Sequence, residues 1–233
     1  MTFLMHLHPN SWCHQLLNKT KMKYRDYLQD RIYKIINPII HGMIKIGITP
    51  NMVTTIGFLG NVLATAMFIL ASEQATPEAG YAMIGWGGAI LIFSGLFDMM
   101  DGRLARLGNM STAFGAFWDS TLDRYSELFS LFGLTLYLLN AVGTWAGVIS
   151  FLALVGSIMV SYVRARAEGL DIECKVGLMQ RPERVVVTSV VAILTGIFNS
   201  NGWLIGGMIL IAVLANITAF WRVAHCYKLL KNQ

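Results

Sequence analysis

Charge is scarce in this sequence. Only 13% of its 233 residues are Asp, Glu, Lys or Arg, while 55% are hydrophobic. An average soluble domain carries about twice that charge, so the shortage argues against an ordinary water-soluble fold. Long apolar runs place the chain among membrane proteins instead. Cysteine is also rare. Cys13, Cys174 and Cys226 are far apart and form no CxxC pair, which excludes a disulfide framework and a cysteine zinc site and leaves reduced or buried thiols. No internal repeat and no low-complexity tract is present. The start of the chain, MTFLMHLHPNSWCHQLLNKTKMKYRDY, lacks the apolar core and small-residue cleavage site of a secretory signal. Met5 and Met22 are alternative starts. No nucleic-acid partner is expected.

Six apolar segments are present: Asn51 to Ala71, Tyr81 to Met100, Ala113 to Leu139, Trp145 to Val163, Val185 to Phe198 and Trp203 to Val223. The fifth is short against the ~20 residues that a spanning helix needs. The fold expected is all-α and integral to the membrane, with six transmembrane helices. Every Lys and Arg precedes the first segment, lies around the second or fourth connection, or ends the chain. The positive-inside rule then puts both termini and those two connections on the cytoplasmic side. QDRIYKIINPIIHGMIKIG, ahead of the first span, mixes apolar and basic residues and reads as an amphipathic interfacial helix broken near Pro38. Residues 1–49 are therefore a cytoplasmic N-terminal segment, and 50–233 form the six-span domain.

Against this apolar background, FDMMDGRLARLGNMSTAFGAFWDSTLDR carries four carboxylates where the second span ends and the third begins. Asp98 and Asp101 are three apart, and Asp119 and Asp123 are four apart. On a helix each spacing puts its pair on one face. A short turn near Leu107 to Met110 makes the two helices antiparallel neighbours, so the pairs can face each other. Acids in so dry a place repel one another and are costly, and a divalent cation is the usual remedy. An all-oxygen cluster suits Mg²⁺, Mn²⁺ or Ca²⁺ rather than zinc. Salt bridges to Arg103, Arg106 and Arg124 are the plainer alternative.

These residues also resemble a known signature. Asp98, Asp101, Gly102, Ala105 and Arg106, then Gly115, Asp119 and Asp123, match every fixed position of D-x-x-D-G-x-x-A-R and G-x-x-x-D-x-x-x-D, the pattern of the CDP-alcohol phosphotransferase family. The resemblance implies that a hydroxyl attacks the phosphorus of CDP-diacylglycerol and that CMP leaves, aided by Mg²⁺ or Mn²⁺. Carried over to this chain, Asp98, Asp101 and Asp119 are metal ligands. Asp123 is the catalytic base and also touches metal. Gly102 leaves room for the cytidine, and Arg106 and Thr112 face the CDP phosphates. Thr49, Pro50 and Asn51 match the family's TPN element near the nucleotide, although Pro50 also suits a plain helix start. A homodimer is likewise implied.

The fourth connection, SYVRARAEGLDIECKVGLMQRPERVV, concentrates arginines, whose forks suit phosphate. Anchoring by basic residues alone is the other reading. SYVRARAEGL and RPERVV resemble the subgroup that uses inositol 1-phosphate, which would make Arg164, Arg166 and Arg184 the holders of the acceptor's phosphate. The resemblance leaves open glycerol 3-phosphate, free inositol or another alcohol as acceptor, and a ceramide-based donor. Members that use glycerol 3-phosphate more often read FLDPxxDK, and WDSTLDR lacks that proline and lysine. A divalent-cation transporter using the same acids is the rival from another class. The setting expected is the bacterial inner membrane, with the site on its cytoplasmic face.

Overall fold

The computed structural model describes residues 36–231, and every element among them is helical. Helix α1 covers 36–46. Then follow α2 (Pro50–Ala71), α3 (Pro77–Leu107), α4 (Ala113–Ala141), α5 (Thr144–Glu168), α6 (Arg181–Phe198) and α7 (Asn201–Leu230). The chain divides between Ile48 and Thr49 into two units. In the first unit, α1 is helical from Ile36 through Pro38 to Ile46. A proline disturbs the turn before it, and here that turn lies largely outside the described residues. The rest of the expected interfacial helix, and Cys13, also lie outside them.

Capping residues fix where the helices of the second unit begin. Thr49, Thr76, Thr112 and Ser200 each turn a side-chain oxygen onto a free N–H of the following first turn, which offsets donors that the helix itself leaves unpaired. Pro50 and Pro77 follow two of these caps, where a missing N–H costs nothing. Gln180 and Glu183 form a reciprocal capping box at α6. Between α3 and α4 the chain reverses through Gly108 to Thr112, with Asn109 at φ 51°, a left-handed conformation that asparagine tolerates.

Each of the six apolar segments lies on its own helix, but the helices outrun the segments. α3 extends seven residues past Met100, through Gly102 and Arg106, and α5 runs on through Arg164 and Arg166. Apolar windows stop at the first charges, whereas backbone hydrogen bonding continues through them. Among the described residues α2, α3, α5 and α7 are long and apolar enough to cross a membrane. α4 carries Asp119, Asp123, Arg124 and Glu127 in its first half. α6 has 18 residues, three of them charged.

The six helices close into a ring in the order α2, α4, α5, α7, α6, α3, each packed on the next and α3 back on α2. The core holds Phe68, Leu91, Leu134, Leu138, Leu204, Met208 and Ile211. Large apolar side chains such as Trp86, Phe93, Phe132, Phe151, Ile209 and Phe220 point outward. Buried acids and arginines within an apolar exterior are the reverse of a soluble protein's arrangement, and the chain is an integral membrane protein. α3 and α6 meet at backbone distance: a Cβ on Gly196 would lie 2.7 Å from the Cα of Gly85. Small residues permit such crossings where no water drives helices together.

Candidate active site

The end of α3 and the start of α4 bring three of the four predicted carboxylates together. Asp98, Asp119 and Asp123 each offer an oxygen, and the three oxygens lie within 4.8 Å of one another. Hard oxygen donors so grouped fit Mg²⁺ or Mn²⁺. Asp101 sits on the same end of α3 but is 4% exposed, and it accepts a 2.6 Å hydrogen bond from the Thr54 hydroxyl on α2. The Thr54 hydroxyl also approaches the carbonyl of Pro50 at 3.1 Å.

On one side of the carboxylates lies a cavity of about 230 Å³, walled by the start of α2, the end of α3 and the turn into α4. Pro50, Asn51, Gly102, Arg106 and Thr112, all expected at the nucleotide site, line it together with Asp101 and Asp119. Thr49 is not on its wall but caps α2, with its hydroxyl 3.4 Å from the N–H of Met52. Thr112 has two duties, since its hydroxyl also accepts from the N–H of Gly115 at 2.9 Å. Apart from the adjoining backbone of α3, a Cβ on Gly102 would meet nothing within 4 Å. What Gly102 preserves is therefore cavity space rather than helix packing.

On the other side a second cavity, of about 290 Å³, is lined by Ser120, Asp123, Arg124, Arg164, Arg181 and Arg222 among others. Its positive charge comes from four helices. Arg164 is half-exposed and pairs with Glu168 at 2.9 Å. Arg222 is buried and donates to the carbonyls of Val176 and Val160, at 2.8 and 2.7 Å. It thus pins the segment before α6 over the ring. Arg166, grouped with Arg164 on sequence, points elsewhere. It lines an apolar groove with Tyr162, Val223 and Tyr227, because residues two apart on a helix do not share a face.

Arg184 borders the arginine-lined cavity and is 1% exposed. Its Nε and Nη2 fork onto Glu127, with Nη2 to Oε2 at 2.8 Å, and its Nη1 donates to the carbonyl of Met179 at 3.0 Å. All three nitrogens are thereby occupied by protein. Arg181, the first residue of α6, reaches into the carboxylates. It donates to Asp98 at 3.1 Å and also to Asp123.

Three site residues lay outside the sequence expectation. Thr54 looks like any small residue of an apolar helix, and nothing in its spacing marks it. Glu127 could have been found, since it continues the four-residue spacing from Asp119 and Asp123 into an otherwise apolar run. Arg181 stood in the arginine-rich connection without a role of its own. Of the cysteines, Cys174 is buried and free and Cys226 is partly buried and free. Burial pushes the Cys174 thiol up from its ordinary value, which keeps it protonated and unreactive.

Residues 47–221 match the model of the CDP-alcohol phosphatidyltransferase family. The chain is 34% identical over 203 residues to an archaetidylinositol phosphate synthase of Methanothermobacter thermautotrophicus, covering 86% of this chain and 92% of that one. Its fold is similar to the Mycobacterium tuberculosis phosphatidylinositol phosphate synthase with CDP-DAG bound. The TM-score is 0.74 and the identity 29%, over 83% of this chain and 94% of the other. The same mycobacterial enzyme in complex with manganese and citrate matches with a TM-score of 0.73 and 29% identity, over 82% and 88% of the two chains.

Proposed function

Because this chain belongs to the CDP-alcohol phosphatidyltransferase family, and so is an enzyme that transfers substituted phosphate groups, we propose that its donor is CDP-diacylglycerol and its acceptor inositol 1-phosphate. The products are phosphatidylinositol phosphate and CMP. One observation carries the choice of acceptor: Asp123 lies both in the carboxylate trio and on the wall of the cavity lined by Arg124, Arg164 and Arg181. A phosphorylated polyol seated on those arginines brings its hydroxyl to Asp123, and guanidinium forks suit the phosphate that a free polyol lacks.

Asp123 takes the hydroxyl proton as the oxygen bonds to the phosphorus next to the diacylglycerol. The bond from that phosphorus to the CMP oxygen breaks, and CMP carries away the electron pair. Asp98, Asp119 and Asp123, with Asp101 beside them, would hold Mg²⁺ or Mn²⁺, which when bound neutralises charge on the diphosphate. Arg106 and Thr112 orient the nucleotide end, and Gly102 leaves the space into which the cytidine fits. Arg184 backs the arginine-lined cavity from within the ring with its nitrogens held by Glu127 and Met179, and Arg166 lines the separate groove beside Tyr227.

The test is CMP release by purified protein with Mn²⁺ or Mg²⁺, given CDP-diacylglycerol and, in parallel, inositol 1-phosphate, glycerol 3-phosphate or free inositol. Release with inositol 1-phosphate alone is the expected result. Release with glycerol 3-phosphate or free inositol alone would keep the carboxylate chemistry and discard the acceptor assignment.

The same proposal extends to topology. Six spans, with the carboxylates on the cytoplasmic face of a bacterial inner membrane, follow from the charge placement and accord with one helix for each apolar segment. Residues 1–49 would then be the cytoplasmic segment with its interfacial helix and 50–233 the spanning domain. A reporter fused to the C-terminus should be active only in the cytoplasm. The homodimer implied by the resemblance is checked by the mass of the protein in detergent.

A further inference from the structure

Two rungs join α4 to α6, one turn apart on each helix. Asp123 and Glu127 are four apart on α4, and Arg181 and Arg184 are three apart on α6. The first rung is Arg181 on Asp123 and Asp98. The second is the fork of Arg184 on Glu127, in which the two side chains are 1% and 8% exposed. Arg184 also holds the carbonyl of Met179, just ahead of α6, so one side chain ties α4, α6 and the segment leading into α6 together.

α4 and α6 are not neighbours in the ring. α6 packs on α3 and α7, and its close crossing with α3 runs through Gly88 against Ala192 and Gly85 against Gly196. The nearest backbone in those crossings is the Ser189 carbonyl, which a Cβ on Gly88 would meet at 2.8 Å, five residues beyond Arg184 and about 8 Å along the helix. Between α4 and α6 lies a third cavity, of about 270 Å³, with Asp98, Asp123, Glu127, Arg181 and Arg184 on its wall. The first turn of α6 is therefore located at its α4 side by side chains that cross open space, not by packed backbone.

A buried ion pair is a poor device for stability, because desolvation cancels much of its attraction. Its directional fork is a good device for position. Resting on the functional reading above, we infer that Glu127 is a positioning residue for the transfer. Through Arg184 it sets the rotation and reach of the first turn of α6, and so holds Arg181 at Asp98 and Asp123. Without the Glu127 charge, Arg184 is left buried without its carboxylate, and the fork that holds the first turn of α6 at α4 is gone. That turn can then shift and carry Arg181 away from Asp98 and Asp123.

The experiment is a double-variant cycle read by Mn²⁺ binding, followed by electron paramagnetic resonance in the purified protein, with kinetics beside it. Arg181→Gln removes a cation from the carboxylates and should tighten Mn²⁺ binding by about tenfold. Glu127→Gln should shift Mn²⁺ affinity measurably as well. Combined with Arg181→Gln it should add nothing further, since it acts through Arg181. In turnover, Glu127→Gln should lower kcat/KM for the acceptor by about a hundredfold, the usual cost of a small displacement, and leave the donor KM within about twofold. Glu127→Asp, which keeps the charge but shortens the reach, should fall between the two. Glu127→Gln with Arg184→Gln controls for folding: it should recover thermal stability, because no buried charge is left alone, and not recover the rate.

Three outcomes overturn the inference. One is a Mn²⁺ affinity indifferent to Glu127→Gln, another is full additivity with Arg181→Gln, and the third is a wild-type rate in the Glu127→Gln, Arg184→Gln protein. Wild-type protein that releases no CMP with any acceptor would overturn the functional reading instead, and the Mn²⁺ cycle would still decide the role of Glu127.

Discussion

Thr54 on α2 gives its hydroxyl proton to Asp101 on α3 across 2.6 Å, and both residues are buried. The bond joins two helices at the point where the nucleotide-side cavity meets the carboxylates. Thr54→Val keeps the shape and removes the donor. A hydrogen bond to a charged group is worth about 1.5–3 kcal/mol. CDP-diacylglycerol turnover should therefore fall by about ten- to a hundredfold, with Mn²⁺ held more weakly. Wild-type kinetics in Thr54→Val would show that Asp101 needs no partner on α2.

Asp123→Asn keeps a hydrogen-bonding side chain but cannot accept the acceptor's proton as a carboxylate does. CMP release should drop by about 10²- to 10⁴-fold, while CDP binding, measured by calorimetry, should survive. Residual turnover within tenfold of wild type would remove Asp123 from the role of base.

Gly102 faces open cavity, so a larger side chain there should spare the fold and fill the nucleotide site. Gly102→Val is expected to raise the donor KM by about tenfold or more, with thermal stability shifted by no more than about 1 kcal/mol, the scale of a helix-propensity change. The acceptor KM should stay near wild type. An unchanged donor KM would mean that the base sits elsewhere.

Arg164 and Arg166 give a paired test. Arg164 borders the cavity at Asp123, and Arg166 borders the groove beside Tyr227. Arg164→Ala should raise the acceptor KM by about tenfold, the loss of roughly one charge-assisted contact, and Arg166→Ala should raise it less. Equal effects would mean that the two act through the general field of the basic face rather than through contact.

The parts of this site that the sequence disclosed are those governed by spacing. Asp98, Asp119 and Asp123 came together because helical periodicity and a short turn leave them little choice. The order of the apolar segments likewise gave one helix each. Ends were harder to read: α3 and α7 run well past their apolar windows, because a helix ends at a cap and not at a charge. The contacts that cross between distant segments were hidden. Thr54 and Asp101 are 47 residues apart and Glu127 and Arg184 are 57 apart, and no local pattern pairs them. Arg166 is the opposite case. Its position two residues from Arg164 already separated their faces, and the charge both carry obscured it.

The length of α3 sets where the chemistry stands relative to lipid. Thirty-one residues at 1.5 Å each make a helix of about 46 Å, against a hydrocarbon layer of about 30 Å. Tyr81 to Met100 alone accounts for about 30 Å, so Asp101 to Arg106 lies in the overhang with Asp98 at its edge, and the six-span proposal puts these groups near the depth of phospholipid head groups. A lipid donor can meet them by sliding within its leaflet, its tails never leaving the oil. For such an enzyme the donor's concentration is a surface density. Its rate should saturate with the mole fraction of donor among the surrounding lipids, and diluting the membranes in more buffer should change little.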